Sequence, residues 1–135
     1  MMFERVLVAT DGSACGDHAF AVARSMVSRE LGSELTVVHI APARAKALDD
    51  ANERLGQTVT RLAGEGVRAR LVTPAVRFGG PAHAIAETAD EVDADVILVG
   101  DLGAGPQTGA VSVRLLQTAH RPVMVIPMPD DQIVD

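Results

Sequence analysis

The stretch from Asp95 to Ser112, DVILVGDLGAGPQTGAVS, limits the possible folds more than any other part of the chain. Val96, Ile97, Leu98 and Val99 form an apolar run with no polar alternation, so a strand built from them must be covered on both faces, as in a parallel sheet flanked by helices. Gly100, Gly103, Gly105 and Gly109 follow, and they let the backbone turn sharply and present its N–H groups. A helix starting near Ala110 directs its positive end into that loop, a geometry suited to an anion such as phosphate. A plain strand-to-helix turn accounts for the same glycines, because neither G-x-x-x-x-G-K-[ST] nor G-x-G-x-x-G occurs.

The rest of the chain alternates in the same way. Arg5 to Thr10 is a short β-type run closed by Asp11, Gly12 and Ser13, which carry turn and N-cap chemistry. Ala19, Phe20, Ala23, Val27 and Leu31 recur at helical spacing, with Gly32 placed as a C-cap. Leu35 to Ile40 reads as a second buried strand. Ala43 to Ala63 reads as a helix with Leu48, Ala51, Leu55, Val59 and Leu62 on one stripe, ended by Gly64 or Gly66. From Val67 to Thr73 apolar positions interleave with Arg68 and Arg70, which assigns this strand to a sheet edge. Gly79, Gly80 and Pro81 open a helix whose buried face is Ala82, Ile85, Ala86, Ala89 and Val92. Val111, Leu115 and Ala119 continue a fourth helix, and Pro122 introduces a last strand, Val123 to Ile126.

Five strands alternating with four helices predict a doubly wound α/β domain: an open five-stranded parallel sheet with right-handed crossovers. Ligands of such sheets sit beyond the carboxyl ends of the strands, where successive connections leave to opposite faces. With strand order 3-2-1-4-5, Asp11 and Gly100 meet there. Val123 to Ile126 is then an edge strand, apolar on both faces and without protecting charges. This predicts a homodimer through that strand, unless the Pro127-Met128-Pro129 tail covers the edge.

At 135 residues the chain is expected to be one domain, 1–135, with a loosely ordered tail over 128–135. A net charge of −6 with scattered basic residues argues against nucleic acid as the partner, and the lack of Trp and Tyr leaves no platform for stacking successive bases. Cys15 is alone, which excludes a disulfide framework and fits a reducing cytoplasm. The opening MMFERVLVAT has too short an apolar run for a signal peptide, and no run approaches the length of a membrane span.

Four segments together carry a resemblance. VLVATDGS at Val6 to Ser13, LTVVHIAP at Leu35 to Pro42, GGPAHAIAETADEVDADVILVG at Gly79 to Gly100 and RPVMVIP at Arg121 to Pro127 resemble, in this order and spacing, a single-domain universal stress protein. The resemblance implies a flavodoxin-like, adenine nucleotide alpha hydrolase-like fold of order 3-2-1-4-5, a dimer through the fifth strand and a role in surviving stress. It also implies a nucleotide site at Ala9, Thr10 and Asp11 after the first strand, at Ile40 beside the adenine, and at Gly100, Gly103, Gly109, Ala110 and Ser112 around the phosphates.

The phosphate loop departs from the pattern G-x2-G-x9-G-[ST] of members that bind ATP. Gly100 and Gly103 match its first two glycines, but Gly109 follows Gly103 after five residues, and Ala110 stands where Ser or Thr is expected. Ser112 is the nearest hydroxyl. Asp101 lies inside the loop, and Lys46 is the only lysine in the chain. A carboxylate about 5 Å from a phosphate charge costs on the order of 3 kcal/mol at an effective dielectric near 20, roughly a hundredfold in affinity. Arg114 is either a compensating charge or a solvated surface residue.

Other chemistry finds little support. Ser13 lacks a G-x-S-x-G elbow, and its capping role explains it. His18, His39, His83 and His120 show no metal-ligand spacing, and His39 reads as a hydrogen-bonded core residue. Cys15 near a helix start has the placement of a redox thiol or of a small packing residue. A receiver domain needs an acidic pair after the first strand, an Asp after the third and a Lys after the fifth. The chain offers Asp11 alone, Thr73-Pro74-Ala75 and Pro127. The reading is a stress-response regulatory and binding module without catalytic or metal residues, with a shortened, impaired phosphate loop that takes AMP or ADP or no nucleotide at all. The alternatives are an ATP-binding, slowly hydrolysing member and a nucleotide-free dimeric adaptor for a client protein that the sequence does not name.

Overall fold

A computed structural model describes residues 4–11, 14–27, 33–40, 45–76, 78–100 and 110–127. Its elements are β1 (Arg5–Thr10), α1 (Ala14–Met26), β2 (Glu34–His39), α2 (Ala45–Gly64), β3 (Arg68–Val72), α3 (Gly80–Val92), β4 (Val96–Gly100), α4 (Ala110–Thr118) and β5 (Val123–Ile126). All strand pairs are parallel and the order is β3-β2-β1-β4-β5, as the sequence predicts.

Side-chain burial explains the order. β1, β2 and β4 are buried over nearly their whole length, so they occupy the centre, while β3 alternates and lies at an edge. Val6, Val8, Leu35, Val37 and Leu98 face α1 and α2. Leu7, Ala9, Val38, Ile97 and Val99 face α3 and α4. Without Trp or Tyr, close approach takes the place of bulk: Ala19 and Ala23 on α1 and Ala89 on α3 are each 0% exposed. The chain walks from β1 to β3 in one direction with α1 and α2 on one face, then crosses by α3 to β4 on the other face.

Element limits differ from the sequence reading by one or two residues in most places, and β1 and β5 match it. α1 is the larger difference: it ends at Met26, and the expected continuation to Leu31 and the Gly32 cap lie outside the described residues. The tail over 128–135 also lies outside them. α2 ends at Gly64, and the turn after it is closed by Gly66 at φ 90 and by the Val67 N–H donating to Leu62 O at 2.9 Å.

The amino edge of the sheet is tied by charge. Asp95 Oδ2 accepts from the backbone N–H of Glu4 (3.0 Å) and Arg5 (2.8 Å). α3 ends on Asp93, held in the left-handed region at φ 57, an unusual conformation for a residue other than glycine. Arg121, just before β5, donates from Nε to Asp90 Oδ1 (3.0 Å) and from Nη1 to Asp93 Oδ1 (3.0 Å) and Ala94 O (2.7 Å). Hydrogen bonds to Asp90 and then Asp93 raise its pKa above the ordinary arginine value, so the clamp persists at every pH where the carboxylates are charged. Replacing Arg121 by Ala is expected to cost about 1–2 kcal/mol, read from the urea midpoint. Arg121→Lys should recover only part of this, because an ammonium cannot reproduce the fork.

Candidate functional site

Strand order reverses between β1 and β4. β1 leads into α1 on one face and β4 towards α4 on the other, so the two exits diverge above neighbouring strand ends. Ala9 pairs with Val99, which sets Thr10 and Gly100 side by side at the carboxyl edge. Thr10 O accepts the backbone N–H of Ile40 at 3.0 Å, bringing the exit of β2 to the same place. Asp11, Ile40 and Gly100, which lie far apart in sequence, therefore share one edge.

The sequence-selected residues differ in exposure. Ala9 (4%) and Thr10 (3%) are buried, Ile40 and Gly100 are half-buried, and Asp11 is exposed. Ile40 packs against the core on the α3 side together with Ala82 and Ala86. Ala110 opens α4, whose first turn carries no acidic residue, and Ser112 in that turn is buried rather than turned to solvent. Arg114 is exposed. Gly103, Gly109 and Asp101 lie outside the described residues, as do Gly12 and Ser13.

α1 starts almost on top of β1. A Cβ at Gly16 would overlap Thr10 Oγ1 and fall 3.1 Å from Thr10 Cβ and 3.4 Å from Asp11 Oδ1. Gly16 is therefore part of the site's construction, although the sequence reading passed over it. By contrast Gly56, in the middle of α2, has nothing within 4 Å of such a Cβ.

Beneath this edge lies a polar group that joins three elements. His39, 0% exposed at the end of β2, stands beside Thr10 in register. Its Nδ1 lies 2.8 Å from Asn52 Oδ1 on α2, and the same oxygen accepts from Thr73 Oγ1 at 3.0 Å, just after β3. With the amide oxygen turned to the ring, Nδ1 carries the proton and donates. Nε2 is buried and has no hydrogen-bond partner among the described residues. The sequence does mark His39 as a hydrogen-bonded core residue. It also holds an unused signal for Asn52, which falls four residues after Leu48 and three before Leu55, on the apolar stripe of α2.

Two ion pairs lie on the flanking helices. Asp17 on α1 meets Arg54 on α2 at 3.2 Å, and His83 meets Glu87 at 3.3 Å. Among the described residues, no three of His, Cys, Asp and Glu group as a metal site, and no helix is long and apolar enough to cross a membrane. An open cleft of ≈ 430 Å³ lies at the opposite, amino edge, lined by Glu34, Gly66, Arg68 and Arg70 among others. Glu34 is shared there by Arg5, Arg68 and Arg70 at 3.9, 3.8 and 3.4 Å, so its carboxylate is paired within the edge.

The doubly wound sheet of this order, with its switch point between β1 and β4, defines an α/β protein of the nucleotide-hydrolase-like type. The model described as "Universal stress protein family" matches residues 2–127, and the chain belongs to that family. It is similar to the universal stress protein from Archaeoglobus fulgidus, at 27% identity and a TM-score of 0.71 over 93% of this chain and 99% of that one. The structure of the universal stress protein from Archaeoglobus fulgidus in complex with dAMP matches at 27% identity and a TM-score of 0.65, over the same shares. A universal stress protein in complex with cAMP matches at 27% identity and a TM-score of 0.61, over 93% of this chain and 98% of that one. No curated protein matches the chain.

The packing of Gly16 gives opposite expectations for one substitution at two helical sites. Gly16→Ala should destabilise by about 1–3 kcal/mol, because Thr10 must shift. Gly56→Ala should stabilise by about 0.5–1 kcal/mol through helix propensity alone. Paired urea titrations read both, and equal effects would remove Gly16 from the construction of the edge.

Proposed function

We propose that this chain is a cytoplasmic, nucleotide-binding regulatory module of the universal stress type, one domain over 1–135. It takes an adenine mononucleotide at the carboxyl edge of the sheet. The observation that carries the reading is the register of β1 beside β4, with the Ile40 N–H held on Thr10 O, which gathers Asp11, Ile40 and Gly100 around one crevice. Ala9 and Thr10 form its floor, and Asp11, exposed at the rim, is placed to accept from a ribose hydroxyl. Gly100, Gly103, Gly109, Ala110 and Ser112 surround the phosphate, with the positive end of α4 behind it. Support also comes from two relatives described in complex with dAMP and with cAMP, each of which carries a single phosphate.

The shortened loop and Asp101 favour one phosphate over three. Calorimetry with AMP, ADP and ATP tests this: AMP is expected to bind at least about tenfold more tightly than ATP, from the like-charge cost at Asp101. Release of bound nucleotide from denatured protein, read at 260 nm, gives an independent check. A tightly held ATP would replace this reading with the triphosphate-binding one. Complete indifference to nucleotide would leave the adaptor reading.

The reading includes a homodimer through β5. Val123 and Val125 are half-buried and Met124 is 36% exposed on this edge strand, while Val113 (54%) and Leu116 (58%) on the adjoining α4 are also exposed. Apolar side chains at a strand edge without charges favour pairing with a second copy. The double variant Leu116→Asp, Met124→Asp is expected to shift the light-scattering mass from twice the chain mass to the 14.1 kDa of one chain. Wild-type protein at the single-chain mass would remove the dimer.

A further inference from the structure

We propose that Phe78 is the base-stacking residue of this site and covers the adenine from the connection between β3 and α3. This inference rests on the nucleotide reading above and adds the residue that selects for a base.

Phe78 is 97% exposed. The chain has three Phe and no Trp or Tyr, and Phe20 packs on the core, so among the described residues Phe78 stands out as an aromatic ring left in water. Its position follows from the path of α3. That helix ends at the amino edge, where Asp93 lies 3.7 Å from Arg5 at the start of β1, so its beginning at Gly80 lies at the carboxyl edge. Ala82, in the first turn of α3, packs in the same cluster as Ile40. Phe78 lies two residues before α3, so the chain brings it to the carboxyl edge beside the start of the helix that covers the Ile40 side of the sheet.

The turn that presents the ring is built rather than slack. Gly79 sits at φ 93 and Gly80 at φ 73, and a Cβ on Gly79 would come within 2.6 Å of His83 Cβ and 2.8 Å of its Cγ. Glycine meets both demands at position 79, so the sequence specifies the turn that follows Phe78. Preceding this turn, Thr73 is anchored to Asn52 by its 3.0 Å hydrogen bond, which fixes the other end of the connection to α2.

A nucleobase offers two apolar faces. Ile40 supplies a wall for one of them, and Phe78 is the exposed aromatic ring at that edge of the sheet available for the other. One ring stacks one base. This differs from the succession of aromatics that a single-stranded nucleic acid needs, and it agrees with a mononucleotide ligand. Because the ring touches little in the protein, removing it should leave the fold intact.

The test uses the full chain, with AMP and ribose 5-phosphate as probes and calorimetry as the readout. Phe78→Ala is expected to weaken AMP by about tenfold, within the range of one base–aromatic stack, and to change ribose 5-phosphate by less than about twofold. Phe78→Trp should keep the AMP affinity and give the chain a single Trp whose emission is quenched by AMP and not by ribose 5-phosphate. Unchanged AMP affinity in Phe78→Ala, or silent Trp emission while calorimetry records AMP binding, overturns the inference and leaves the nucleotide site standing. Wild-type protein that binds no AMP overturns both.

Discussion

A parallel sheet whose central strands are apolar on both faces must be covered twice, and the rest of this structure follows from that demand. Val6 and Val8 point one way and Leu7 and Ala9 the other, so helices are required on both sides of β1. Right-handed crossovers can supply two faces only if the chain reverses its direction of travel across the sheet. The reversal falls between β1 and β4, so the step that completes the core also sets the ends of these two strands side by side with helices on opposite faces.

The two ends of the sheet use this arrangement differently. At the amino edge, Glu34, Asp93 and Asp95 meet Arg5, Arg68, Arg70 and backbone N–H groups, so charge is answered locally. Such exposed pairs add little stability one by one, but they leave no strong field for a ligand to answer. The carboxyl edge carries an exposed acid, a half-buried aliphatic side chain and an exposed aromatic ring in Asp11, Ile40 and Phe78.

What was legible in the sequence was whatever depends on short-range pattern. The unbroken run Val96 to Val99 placed β4 at the centre, and the interleaved Arg68 and Arg70 placed β3 at the edge, because burial leaves a mark residue by residue. The meeting of Asp11 with Gly100 could be inferred only through strand order, and the structure agrees with the inferred order. Features that depend on tertiary proximity left almost no trace. Arg121 reaches Asp90 and Asp93 across some thirty positions of sequence, and nothing in its neighbours announces this. Asp93 gave no warning of its left-handed backbone, since the αL conformation is enforced by the end of α3 and the turn into β4. Gly16 looks like any helix glycine until Thr10 is seen beneath it.

The phosphate side of the site shows why its chemistry is harder to derive than its position. An end of β1 beside an end of β4 is guaranteed by the fold, but what that place binds depends on loop length and on a few charges. Five residues, not nine, separate Gly103 from Gly109, and Asp101 stands between Gly100 and Gly103. A family whose fold is fixed by burial can vary such a loop with the stability of the sheet insulated from the change. Ser112, buried in the first turn of α4, marks where the two regimes meet, because it belongs to the packed helix and borders the edited loop.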